Sequence, residues 1–194
     1  MTSKREDLSF TSGSDRCAAW LYRPSAEPPG SPAGRDDDSP LIVMAHGLSG
    51  TRRDRLGPFA ERFASAGVAA LVFDHRGFGD SEGEPDLFEP RRQLEDWGAA
   101  IAFARSLPDV NDERIATFGS SMGGGNALAA AAADNCIAAA ISQVPFLDIV
   151  LQSHRSSPRV SARIMWAAAR GRHLPVLGEP HEAALLNAPG AAEG

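Results

Sequence analysis

The chain has 194 residues, 43% hydrophobic and 23% charged, with a formal net charge of −6. That length and balance fit one globular domain with a core of its own. The acidic excess, with no basic stripe interleaved with aromatics, excludes an ordinary nucleic-acid binder. Cys17 and Cys136 are far apart and carry no metal-ligand spacing, so they read as reduced thiols, with a bridge left open. Residues 1–7 are polar and lack the apolar segment of a signal peptide, and no apolar run approaches a membrane span. The expected setting is cytoplasmic, with no membrane and no nucleic-acid partner.

Residues 8–10 and 17–22 are strand-like runs separated by Ser12-Gly13-Ser14-Asp15, which predicts an antiparallel hairpin at a sheet edge. Residues 24–40 are dominated by Pro, Gly, Ser and Asp and read as an exposed loop, with Asp36-Asp37-Asp38 a solvated run. Residues 41–45 are continuously apolar, as in a buried parallel strand, and end in His46-Gly47-Leu48-Ser49-Gly50. A helix over 56–66 follows, with Phe59, Phe63 and Ala66 on one face. Residues 68–73 form the next buried strand, ending in Asp74-His75-Arg76-Gly77-Phe78-Gly79-Asp80-Ser81-Glu82-Gly83. A dinucleotide loop fails there on register: the third glycine of Gly-x-Gly-x-x-Gly falls on Glu82, and no helix opens directly after it. A tight loop at the rim of a site is the better reading, and no cofactor or metal is expected. A helix over 90–106 takes Pro90 in its first turn and Leu94, Trp97, Ile101 and Ala104 as its apolar stripe. Residues 109–112 form the return loop.

The apolar run 115–118 stops at Gly119-Ser120-Ser121-Met122-Gly123, and an alanine-rich helix follows over 123–133. A strand, a sharp turn with Gly-x-Ser-x-Gly and a helix are the parts of a nucleophile elbow, and the register makes Ser121 the candidate nucleophile. The pentapeptide alone is weak in a chain with 19 glycines; its placement raises it. Attack by a serine on a carbonyl needs donors for the oxyanion. The Met122 backbone N–H supplies one, and Leu48, after the strand at 41–45, is the best placed second donor, with Gly47 allowing close approach. His46 reads as a brace for that loop. Residues 137–144 form a further strand. Strands alternating with helices imply a mostly parallel sheet covered on both faces, with the unusual loops at the strands' carboxyl ends. Residues 148–152 and 160–170 are helix-like, either two surface helices or a cap over the strand ends, and 177–194 has no strand character. The division expected is a core over 1–147, with its loop at 24–40, and cap-like helices and tail over 148–194.

The ordered segments His46 to Gly50, Phe73 to Ser81 and Gly119 to Gly123 resemble the landmarks of the α/β-hydrolase superfamily, in the bacterial branch around serine aminopeptidase-like and dienelactone-hydrolase-like proteins. Residues 90–97 and 143–148 also resemble that branch. The resemblance implies the α/β-hydrolase fold and a Ser–Asp–His triad in that chain order, with Ser121 as nucleophile. An aspartate at the elbow, as in haloalkane dehalogenases, is absent. In the family the acid follows the strand after the cap and the histidine follows the last strand, and this chain ends before either. The expectation is therefore a fold lacking its last two strands, the N-terminal portion of a longer protein or a truncated product. Asp148, at the end of the last strand, is the substitute acid. His154, His173 and His181 are the histidines after Ser121, and His173 sits in a solvated basic cluster. The run 137–144 is left as an exposed apolar edge through which the chain could self-associate. The function expected is a serine hydrolase cleaving an ester, thioester or amide of a small acyl substrate through an acyl-enzyme. The alternative is an inactive fragment serving as a binding or assembly module.

Overall fold

Two N-terminal strands, β1 (Lys4–Ser12) and β2 (Asp15–Arg23), fold back through a two-residue turn at Gly13-Ser14, where Gly13 takes φ 59°. A left-handed glycine at that position suits the twist of a tight hairpin. In this computed structural model, which describes residues 4–24, 39–48 and 50–147, strands and helices then alternate. They are β3 (Ser39–Ala45), α1 (Leu56–Ser65), β4 (Ala69–Phe73), α2 (Pro90–Ser106), β5 (Val110–Ser120), α3 (Met122–Ala133) and β6 (Ile137–Gln143). The strand order is β1-β2-β4-β3-β5-β6. The hairpin joins β4 antiparallel, and β3 to β6 are mutually parallel. The expected α/β, mostly parallel fold is what the chain adopts.

Both faces of the sheet are covered, which is why its central strands are apolar at every position. Leu41, Val43 and Ala45 of β3 face α2 and α3, meeting Trp97, Ala100, Ile101 and Ala127. Ile42 and Met44 point the other way, to Leu56, Ala60 and Ala64 of α1. Each fully buried side chain of this size stabilises the fold by about 1.5–3 kcal/mol.

Three elements depart from the sequence reading. The buried face of α1 is Leu56, Ala60 and Ala64, not Phe59, Phe63 and Ala66. Small residues at spacings of four let α1 lie close to the sheet, and Phe59, 40% exposed, leans on Phe118 with ring centroids 5.3 Å apart. On α2, Leu94 faces outward, and Gln93 and Asp96 are buried with Trp97, Ala100, Ile101 and Ala104. Two polar side chains occupy that stripe because each has partners waiting. Gln93 accepts a 2.8 Å hydrogen bond from Asn126 of α3, and Asp96 gathers the donors described below. Finally, β5 begins at Val110, well before residue 115. The Ser39 N–H donates to the Asp109 carbonyl at 2.9 Å and carries the pairing back along β3, so residues 110–112 belong to the strand and Ser39 and Pro40 to β3 instead of the loop.

Among the described residues β6 is an edge strand, with Ile141 41% exposed. None of the described helices is long and apolar enough to cross a membrane. The helix-like segments at 148–152 and 160–170, together with Asp148, His154, His173 and His181, lie outside the described residues.

Gly98 sits in the interior of α2 on its exposed side, and a Cβ built there meets nothing within 4 Å. Gly98→Ala therefore raises stability by about 0.5–1 kcal/mol through reduced freedom of the unfolded chain. A urea melt that leaves the midpoint unchanged or lowers it would count against this placement of α2.

Candidate active site

From β3 the chain crosses by α1 to β4 on one side, whereas β5 lies on the other side of β3. The loops leaving β3 and β5 thus diverge to opposite faces of the sheet. In an open sheet of this kind the ligand crevice lies at such a switch point, outside the carboxyl ends of the strands. Ser121 stands there, between β5 and α3.

Its backbone has φ 55° and ψ −120°, a sparsely populated region for any residue with a Cβ, costing about 1–3 kcal/mol. Three hydrogen bonds impose it. The Ser121 N–H donates to the Gln143 carbonyl at 2.9 Å, and its carbonyl accepts from Gly125 at 3.1 Å and Phe146 at 2.9 Å. The chain after β6 is bent to make the last bond, with Val144 at φ 47°. Glycine is required on either side of the bend. A Cβ on Gly119 would come within 1.9 Å of the Gly123 carbonyl oxygen, and one on Gly123 within 2.3 Å of the His46 carbonyl oxygen.

The loop after β3 reaches the same point. A Cβ on Gly47 would lie 3.2 Å from Ser121 Cβ and 3.8 Å from the Met122 nitrogen. Ser121, Met122 and Leu48 are all half-buried. Met122 opens α3, where the first backbone N–H groups have no intrahelical acceptor and the helix dipole favours negative charge. The structure thus brings together Ser121, the Met122 nitrogen and Gly47, with Leu48 next in the chain. Asp148 falls outside the described residues.

Behind the crevice is a buried polar layer that the sequence reading did not assign. Asp96 of α2 accepts from Ser12 Oγ at 2.7 Å, from the Arg76 N–H at 3.1 Å and Nε at 2.5 Å, and from His75 Nδ1 at 3.2 Å. Burial pushes its carboxyl up, but the hydrogen bonds from His75, Ser12 and Arg76 outweigh that and hold it below the usual range. His75 and Asp96 look like the base–acid half of a triad. However, Phe73 and Gly119 both align with Ala45, which puts the ends of β4 and β5 two strand spacings, about 9–10 Å, apart. His75 is also sealed from solvent, so this pair is structural. The helix phase carried the missing signal: Gln93, Asp96, Trp97, Ala100 and Ala104 make a better 3.6-residue stripe than one that includes Leu94.

His46 is the brace that was expected. Its Nδ1 lies 2.7 Å from the Gly47 carbonyl oxygen, and its Nε2 is 3.4 Å from the His75 N–H. Burial lowers its pKa to about 3, so it is neutral near pH 7. The glycine-rich loop after β4 forms the rim. Asp74 accepts from the backbone N–H of Arg52 and Asp80 and pairs with the Arg52 guanidinium, which also holds Asp80 at 2.6 Å. A Cβ on Gly79 would collide with the Asp74 carboxylate, so this tight loop closes only with glycine there. Cys17 and Cys136 are unbridged; Cys17 is fully buried, which pushes its thiol up to about 12, and Cys136 is exposed.

Residues 37–185 match the family described as serine aminopeptidase, S33. The chain belongs to that family of α/β hydrolases. It is 45% identical to the quorum-quenching protein AidA of Acinetobacter baumannii, over 97% of this chain and 62% of AidA. It is 33% identical to the thiohydrolase aneE of Aspergillus aculeatus, over 66% of this chain and 40% of that one. Among solved structures, the α/β hydrolase GrgF of Penicillium sp. sh18 superimposes with a TM-score of 0.71 at 29% identity, over 86% of this chain and 53% of GrgF. The chain thus spans less than two thirds of the length of each of these relatives.

Two predictions follow from the buried polar layer. Asp96→Asn removes the buried carboxylate from Arg76, leaving it the exposed Glu95 carboxylate at 2.8 Å, and costs about 3–5 kcal/mol in a urea melt; a loss under about 1 kcal/mol would show that Asp96 is not the hub. The second concerns pH. His46 has a folded pKa of about 3 against an ordinary 6.5, so the unfolded chain binds the extra proton between those values. Its contribution is fully present above about pH 6.5 and drains away as pH falls, by at most about 1.4 kcal/mol per pH unit. Stability measured from pH 7 to pH 4 should fall less steeply in His46→Gln than in the wild type. Parallel profiles would contradict the assignment.

Proposed function

We propose that Ser121 is the nucleophile of a serine hydrolase that cleaves an ester, thioester or amide bond of a small acyl substrate. The observation that carries this reading is the strained, half-buried Ser121 at the β5–α3 bend, with the Gly47 backbone packed against it. In that arrangement the hydroxyl attacks the carbonyl carbon. The Met122 and Leu48 amides hold the oxyanion, the leaving group departs with a proton, and water releases the acyl group. The relatives are consistent with acyl chemistry, one of them being named a thiohydrolase. The general base and its acid are assigned outside the described residues, where Asp148, His154, His173 and His181 stand.

A second reading is a binding or assembly module without turnover. It is favoured by the fact that, among the described residues, no histidine is hydrogen-bonded to the Ser121 side chain. A fluorophosphonate probe separates the two. Labelling of the wild type that disappears in Ser121→Ala supports the hydrolase; a folded sample that stays unlabelled supports the module. Full esterase activity in Ser121→Ala would sink the assignment of the nucleophile.

A further inference from the structure

The Gly47-Leu48 peptide carries two groups that point in opposite directions. In a trans peptide the carbonyl of one residue and the N–H of the next are antiparallel, and the described residues contain no cis peptide bond. Whatever fixes the Gly47 carbonyl therefore aims the Leu48 N–H. That carbonyl accepts the Gly50 N–H at 3.2 Å, closing the turn, and His46 Nδ1 stands 2.7 Å from it. A carbonyl can only accept, so the pair forms a hydrogen bond only if Nδ1 carries the proton. The other ring nitrogen agrees: His46 Nε2 faces the backbone N–H of His75 at 3.4 Å, a donor, and must be bare. Both nitrogens thus demand one tautomer of a neutral ring.

The ring has little freedom to do otherwise. It is 3% exposed, and its ring centroid lies 5.1 Å from that of His75 in a T-shaped pair and 5.9 Å from that of Phe78 in a tilted one. His75 is held in turn by Asp96, which also ties Ser12 of β1 and Arg76. A chain of hydrogen bonds therefore runs from α2 through His75 to the peptide beside Ser121.

We infer that His46 is a positioning residue for the hydrolase: its Nδ1–H, with Nε2 held by the His75 backbone, turns the Gly47-Leu48 peptide so that the Leu48 N–H faces the oxyanion at Ser121. The inference rests on the reading of Leu48 as an oxyanion donor. Donation to the Gly47 carbonyl also polarises the peptide, making its N–H a better donor as negative charge develops. The His46 ring is hydrogen-bonded to the Gly47 carbonyl and the His75 N–H and not to Ser121, so it acts through the peptide.

Two substitutions with different hydrogen-bonding reach test it, with p-nitrophenyl acetate as the probe. His46→Asn keeps an N–H near the place of Nδ1, whereas His46→Gln reaches only toward the place of Nε2. The expected result for His46→Gln is a kcat about ten- to a hundredfold lower with KM little changed. Affinity for a boronic acid that mimics the tetrahedral state should fall by a similar factor. His46→Asn should recover most of the kcat. Equal losses in both variants, or wild-type kcat in both, would overturn the inference. Should either variant fail to fold, imidazole nitrogen NMR on the unmodified chain still decides the premise: a neutral His46 with its proton on Nδ1 supports it, and a proton on Nε2 overturns it. Failure of the underlying reading is distinguishable. If Ser121→Ala turns over normally, the acyl-enzyme is wrong whatever position 46 does; if Ser121→Ala is inactive while His46→Gln is unimpaired, only this inference falls.

Discussion

The rest of the site depends on how closely three backbones approach at the end of β5. The Gly123 carbonyl lies where a side chain on Gly119 would be, and the His46 carbonyl lies where one on Gly123 would be. That crowding lets α3 start directly against the carboxyl ends of β3 and β5. Ser121 is the residue left at the bend, and it has no relaxed conformation available there. Its positive φ is enforced by bonds to Gln143 of β6, Gly125 of α3 and Phe146 in the bent segment after β6. The strain is local, and the apolar layers on both faces of the sheet offset it.

A second constraint operates one layer deeper. Loops that leave the strand ends carry polar backbone, and they can be buried only where side chains satisfy them. Here two carboxylates do so. Asp96 collects β1 and the His75-Arg76 segment, while Asp74 fastens Arg52, in the loop after His46, to the rim loop at Asp80. The crevice is thus lined by loops whose positions are set from below, which is what a preorganised site needs.

Much of this was legible in the sequence, for identifiable reasons. The runs 41–45 and 68–73 are apolar at every position, and only a strand covered on both faces demands that. The hairpin was marked by Ser12-Gly13-Ser14-Asp15, and the elbow by glycines whose spacing follows from the backbone contacts just described. What could not be read was the rotation of the helices. In α1, alanines serve closeness while phenylalanines look more apolar, so the sequence points to a stripe through Phe59 and the buried face runs through Ala60. In α2, Asp96 and Gln93 violate the rule that buried faces are apolar, because their partners, Ser12, Arg76 and Asn126, are distant in sequence. The tautomer of His46 depends on a carbonyl and an N–H that no side-chain pattern encodes. Among the described residues no histidine is hydrogen-bonded to the Ser121 side chain.

The central claim is that Ser121 forms the acyl-enzyme, and the most direct measurement is pre-steady-state release from p-nitrophenyl acetate with mass analysis of the quenched chain. The account requires a burst approaching one equivalent of p-nitrophenol per chain and an added acetyl mass on the peptide that contains Ser121, both lost in Ser121→Ala. Turnover without a burst or adduct at Ser121, or an acetyl group on another residue, would contradict it.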